Sequence, residues 1–374
     1  MNEKKAPRFM ALDGWRGVAA CMVVLFHVRA YSHISELEFV RHSFLFVDFF
    51  FVLSGFVIAA TYGERLAAGF SPWRFMLLRF GRLYPLHLAV LAAYVSYELI
   101  RRGALSPADP VEALITRLLL IHSLGPFDVQ LWNTPSWSIS TEFFAYLAFA
   151  LVAAALGARI KHVLFAAVVG CPVLLFAGPG AINDHGYEVV RCLYGFAMGA
   201  LAWQVFLGFR DRLPAGSLAE AIATAVVAVF VTSAGETGWS IAAPVVFGAV
   251  VLVFASERGA GSRLLSSRPF AFLGAASYSI YMVHLFVAQR LAEGLAMAKS
   301  RGIGAVDRLG TDRWAGDALI LACLAIVIAL AAVTYRYLEV PARDWFRALA
   351  EGRSRLVYHR SVEALVDDDV HHRR

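Results

Sequence analysis

An apolar run at residues 12–28, LDGWRGVAACMVVLFHV, keeps an arginine near one end and a histidine near the other. On an α-helix, the eleven positions from Arg16 to His27 cover about three turns and ~16.5 Å of rise, and both side chains project within ~20° of one face. The pair therefore lines one groove at two depths. Asp48, Glu142, Arg191 and His284 lie in other apolar runs, where polar groups are costly and usually functional. An imidazole oriented by a carboxylate is the usual arrangement for a general base. A lone intramembrane histidine is as often a satisfied structural residue. One histidine with two carboxylates at matching depth weighs against that.

Cations gather at the opposite end. Arg79 and Arg82, in RFGRLYP, stand three apart on one helix face, at the same depth as Arg16. Three converging guanidinium groups make a phosphate site, because each meets phosphate in a two-pronged fork. Snorkelling side chains that flank a span account equally well for any one of them. Ser54 and Gly55 also have two readings: glycine permits close helix approach and the hydroxyl bonds across it. Trp137, Tyr278 and Tyr281 fit interfacial or packing aromatics as well as a site.

Membrane helices must position these groups. Of 374 residues, 59% are apolar and 17% charged, with a mean hydropathy of +0.62; a soluble domain carries about 25% charged residues. The chain reads as an all-α polytopic membrane protein, a bundle of about ten transmembrane helices. The expected spans are 14–31, 44–62, 82–100, 137–157, 162–178, 188–207, 217–235, 239–256, 270–294 and 315–337. With the N-terminus inside, about 23 of the 34 Lys and Arg fall on cytoplasmic ends and loops and about 9 on the other side, which gives N-in, C-in. The net charge of +6 then reflects topology and not a nucleic-acid partner. Loop 295–314, with Lys299, Arg301, Arg308 and Arg313 on the wrong side, is the weak point. The first run lacks a small-residue cleavage site, so an uncleaved span is preferred to a signal peptide. Segment 110–124, PVEALITRLLLIHSL, is short for a span and is expected to lie in the interface or dip in. Pro126 and Pro135 break the chain before the fourth span. The four cysteines sit in apolar runs without metal-ligand spacing. Residues 1–340 read as one transmembrane domain and 341–374 as a short charged cytoplasmic tail. Its ending, DDDVHHRR, reads as a frayed end and not a metal site.

Arg16 with ten residues before His27, then VDFFFVLSGF, RFGRLYP, WSISTE, SYSIYMVH and YRYLEVPAR, occur in this order from about residue 10 to 345. The set resembles the membrane-bound acyltransferase-3 family, which includes bacterial O-acetylases of O-antigen, exopolysaccharide, Nod factor and peptidoglycan. Some members add a periplasmic transferase domain, which this chain is expected to lack. The resemblance implies acetyl-CoA, or another acyl-CoA, as donor from the cytoplasm and a glycan or glycolipid acceptor at the outer face of the bacterial inner membrane. It implies no metal.

On that footing His27, oriented by Asp48, is expected to deprotonate the acceptor hydroxyl, with Glu142 positioning the acceptor or balancing imidazolium charge. Transient acylation of His27 is an alternative. Arg16, Arg79 and Arg82 are expected to bind the donor's phosphates, and its pantetheine arm to pass Ser54. Trp137, Arg191, Tyr278 and His284 are expected pocket members. Two rivals remain at this level. A proton-coupled transporter also buries histidines and carboxylates but usually shows internal repeats and broken helices. An export-associated scaffold needs no cations at one face and acids with histidine at the other.

Overall fold

Apolar runs in a bilayer must satisfy their backbone groups internally, which helices do. The computed structural model describes residues 8–103, 111–125, 132–183, 186–303 and 306–352, and among them there are helices and no strand. The main helices are α1 Met10–His27, α2 Phe46–Ile58, α3 Pro72–Arg102, α4 Val111–Leu118, α5 Trp137–Leu156, α6 Ile160–Ala177 and α7 Glu188–Phe209. They continue with α8 Ser217–Ala234, α9 Ala243–Phe254, α10 Arg268–Ala275, α11 Ser277–Ser300, α12 Arg313–Thr334 and α13 Val340–Ala350. Seven helical segments are long and apolar enough to cross a membrane, and eight if the pair α10–α11, bent by 69°, is one span. Gly238–Phe254 is a shorter apolar helix.

The boundaries follow local chemistry. Ser71 caps α3, its hydroxyl accepting from the Arg74 N–H, and Pro72 takes the first turn, where its missing N–H costs nothing. Asp312 caps α12 by accepting from the Trp314 N–H at 2.9 Å. Segment 110–124 yields only the short α4, whose Arg117 is buried. Pro126 and the ending DDDVHHRR lie outside the described residues.

α2 and α7 pack most closely. A Cβ on Gly55 would strike the Phe196 carbonyl, and one on Gly199 the Val52 carbonyl; small residues let backbones approach this way. Phe46, Phe49, Phe51 and Phe56 of α2 are buried in the core with Phe247 and Phe254 of α9.

Helix limits differ from the expected spans: α3 begins at Pro72, ten residues before 82, and α1 ends at His27, short of 31. Helix α11 continues to Ser300, beyond the expected end at 294. The expected boundary at 340/341 falls inside a continuous helical segment, Arg313–Ala350. A π-helical turn, Tyr335–Glu339, leads into α13, which packs along α3. Residues 341–350 are part of the helical body.

Candidate active site

A cavity of about 770 Å³ opens between α2, α3, α5, α11 and α13, within the ~300–1,000 Å³ range of small-molecule sites. Tyr62, Arg65, Arg74, Arg343 and Arg347 line the mouth; Ser54, Glu142 and Tyr146 lie deeper; Val47, Phe50, Ser138 and Tyr281 line the far end. From Tyr62 to Phe50 is about 18 Å of helical rise. The cavity is long, narrow and graded from cationic to aromatic.

The middle carries a hydrogen-bonded chain. The Tyr146 hydroxyl donates to Glu142 Oε1 at 2.5 Å and meets Ser54 Oγ at 2.7 Å. Glu142 and Tyr146 are four apart on α5, so one helix face presents both. Ser54 was expected along the donor's path; Glu142 was expected beside His27 and Asp48 and instead bonds Tyr146, which was not expected although that spacing marks it. Tyr278 lines the cavity too, its hydroxyl donating to the Leu83 carbonyl.

Beyond the far end stands a pair of histidines. Tyr281 lines the cavity and lies against His284, ring centroids 5.7 Å apart. His284, fully buried, brings Nε2 to 3.3 Å from His27 Nδ1. The backbone fixes the tautomers. His284 Nδ1 lies 2.5 Å from the Tyr281 carbonyl, which only accepts, so that nitrogen carries the proton and Nε2 accepts. His27 Nδ1 lies 2.9 Å from the Val23 carbonyl and faces His284 Nε2, two acceptors, so it too carries its proton. The remaining nitrogen, His27 Nε2, keeps its lone pair and is the basic atom of the site.

Asp48 does not orient His27. Both its oxygens are taken by Arg191, at 2.9 Å from Nε and 2.8 Å from Nη2, and the pair is buried. Arg191 also donates to Asn183 Oδ1 and the Phe44 carbonyl and stacks over Trp137 at 5.3 Å. Asp48, Arg191 and Trp137 thus form a saturated cluster joining α2, α5 and α7, and none of the three lines the cavity. Asp48 faces α7, while the neighbour of His27 comes from α11.

Arg16, Arg79 and Arg82 all line the cavity, as expected, yet they differ in partners. Arg16 donates through Nε and Nη2 to the Gly274 carbonyl, at 3.2 and 2.7 Å, and through Nε to Ser277 Oγ at 2.8 Å, with Asp13 at 3.2 Å. It satisfies a terminal carbonyl of α10 at the 69° bend and so sets the direction of α11. Among the described residues Arg79 makes one side-chain hydrogen bond, to the Tyr62 hydroxyl at 3.5 Å, lies over the Tyr62 and Phe75 rings, and leaves its buried Nε without a partner. Arg82 stands 3.9 Å from Glu339, too far for a hydrogen bond. The sequence reading missed Arg65, Arg74, Arg343 and Arg347. The last two stand four apart in VPARDWFRAL, a spacing legible once that stretch is read as a helix. Among the described residues, no group of three or more His, Cys, Asp or Glu is placed to hold a metal ion.

Comparison with known proteins places the chain in a family. A family model described as an acyltransferase domain, acyltransferase-3, matches residues 10–336. The chain is 33% identical over 195 residues to a Rhizobium radiobacter protein described as "Protein 2 in picA locus", covering 47% of this chain and 98% of that one. It is 28% identical over 291 residues to the "Putative membrane-bound transacylase BcsY" of Komagataeibacter xylinus, covering 73% of this chain and 71% of that one. It is also similar to the acyltransferase MdmB of Streptomyces mycarofaciens, 32% identical over 38% of this chain and 39% of that one. No solved structure matches.

Proposed function

The chain belongs to the acyltransferase-3 family of membrane acyltransferases, and from that premise we propose that it moves an acetyl group from cytoplasmic acetyl-CoA to a hydroxyl of an exported or surface glycan. The observation that carries the reading is the graded cavity, with arginines at its mouth and His27 and His284 behind its far end. The donor's phosphates stay among the cations, and its pantetheine arm runs past Ser54 and Tyr146 towards Tyr281.

His27 Nε2 takes the proton of the acceptor hydroxyl as its oxygen attacks the thioester carbonyl. The carbon–sulfur bond then breaks, and the departing thiolate takes the proton from the imidazolium. The products are an ester and CoA thiol, with His27 neutral again. Asp13, behind Arg16, and Glu339, beside Arg82, temper the cationic wall.

Ten crossings with both ends inside belong to this proposal, as does the bacterial inner membrane. They count α5 and α6, separated at Gly157, as two crossings, add Gly238–Phe254, and place the cationic mouth in the cytoplasm. The test is turnover. Full-length protein in detergent should hydrolyse acetyl-CoA slowly without acceptor, and cells lacking the gene should lose acetyl esters from a surface glycan by mass spectrometry. A transporter or export scaffold does neither.

A further inference from the structure

Seven arginines and two glutamates line the cavity. Two of those arginines, Arg343 and Arg347, come from α13, and being four apart they share one face of the helix. Neither side chain has a hydrogen bond among the described residues: the one acid there within ion-pair range, Asp344, lies 3.8 Å from Arg343 and 3.7 Å from Arg347, and Glu351, which also lines the cavity, is bridged to neither. The Arg343 Nε is buried without a partner. Arg74, across the mouth on the first turn of α3, likewise has no acid bonded to its side chain among the described residues.

These groups are held in place by packing. Phe346 of α13 sits on Gly81 of α3 so closely that a Cβ there would strike its ring. Pro341 stands in the first turn of the helix, which follows directly on the π-helical turn Tyr335–Glu339. So α13 is docked by its apolar side on the helix that carries Arg79 and Arg82, with its arginine face over the mouth. Like charges crowded at a partly buried rim raise the energy of the empty site, and a polyanion relieves it.

Resting on the acetyl-CoA reading, we propose that Arg343 and Arg347, with Arg74, grip the 3′-phosphate of the donor and so select CoA over dephospho-CoA. The order of groups along the donor decides this. The thioester is deepest, the pantetheine arm follows, the pyrophosphate comes next, and the 3′-phosphoadenosine is last. Arg79 and Arg82 stand one to two turns deeper on α3 than Arg74, about 7.5–12 Å of rise. They meet the pyrophosphate; the outer three meet the terminal monoester, the more highly charged phosphate at neutral pH.

The test compares CoA and dephospho-CoA binding by calorimetry, with acetyl-transfer kinetics, for full-length wild type and the R343Q/R347Q double variant in detergent. Wild type should prefer CoA by about tenfold or more, and the double variant should lose that preference through CoA alone. Its donor KM should rise by a similar factor with kcat within about twofold. R343K/R347K should recover part of the preference, since an ammonium keeps the charge and loses the fork. Unchanged dephospho-CoA affinity shows that the double variant is folded. If wild type binds both donors equally, or the double variant keeps the preference, the assignment to α13 is overturned while the acetyl-CoA reading stands. Equal losses for both donors overturn it as well. If wild type binds neither, the acetyl-CoA reading itself fails.

Discussion

Arg191 and Arg82 both sit on helices of this protein, Arg191 buried and Arg82 partly exposed, and the structure treats them in opposite ways. Arg191 spends its donors on Asp48, Asn183 and the Phe44 carbonyl and lays its face on Trp137. Arg82 looks into a cavity with its nearest carboxylate 3.9 Å away. A guanidinium whose donors are saturated by the protein contributes to the fold. One left open beside like charges makes the empty site costly and contributes to binding. Arg16, grouped with Arg79 and Arg82 by sequence, stands between the two: it lines the cavity, but the Gly274 carbonyl and Ser277 already occupy it.

The largest effect should come from breaking the saturated cluster. Asp48→Ala leaves Arg191 charged and uncompensated inside the bundle, and removing one partner of a buried pair costs about 3–5 kcal/mol. Thermal denaturation in detergent should show it as a large drop in midpoint. Replacing both residues, as D48L/R191M, should recover much of that loss. A stable, active Asp48→Ala protein would make the cluster dispensable.

His284→Ala sharpens the contrast from the catalytic side. Without the acceptor at His27 Nδ1, the imidazole is held only by the Val23 carbonyl. Turnover should fall roughly 10²-fold, CoA affinity should stay unchanged, and His284→Gln should restore part of the rate. A parallel loss of CoA binding would make His284 a packing residue.

Tyr146→Phe should give the smallest effect. It removes one hydroxyl from the Ser54–Tyr146–Glu142 chain, worth about 1 kcal/mol or roughly fivefold in donor KM. No change in KM would separate that chain from the donor's path.

The sequence shows the distinction only in part. Hydropathy and charge bias locate the helices, and one-sided polar positions bring Arg16, Arg79, Arg82, Ser54, Glu142 and Tyr278 to one cavity. Depth along a helix is legible from spacing; azimuth between helices is not. Asp48 and His27 share a level, yet Asp48 is drawn to Arg191, 143 positions away, and His27 to His284, 257 positions away. Nothing local encodes either choice. The stretch beyond 340 reads as a polar tail because its charges mask the four-residue spacing of Arg343 and Arg347.

Calorimetric CoA affinity measured beside acetyl-transfer kinetics, for His27→Ala and Arg82→Ala in one preparation, tests the central claim that the cavity's arginines bind the donor and the histidine pair behind its far end does the chemistry. His27→Ala should bind CoA like wild type and transfer nothing. Arg82→Ala should bind CoA about tenfold to a hundredfold more weakly and keep much of its turnover at saturating donor. Near-normal transfer by His27→Ala, or wild-type CoA affinity in Arg82→Ala, would contradict the account.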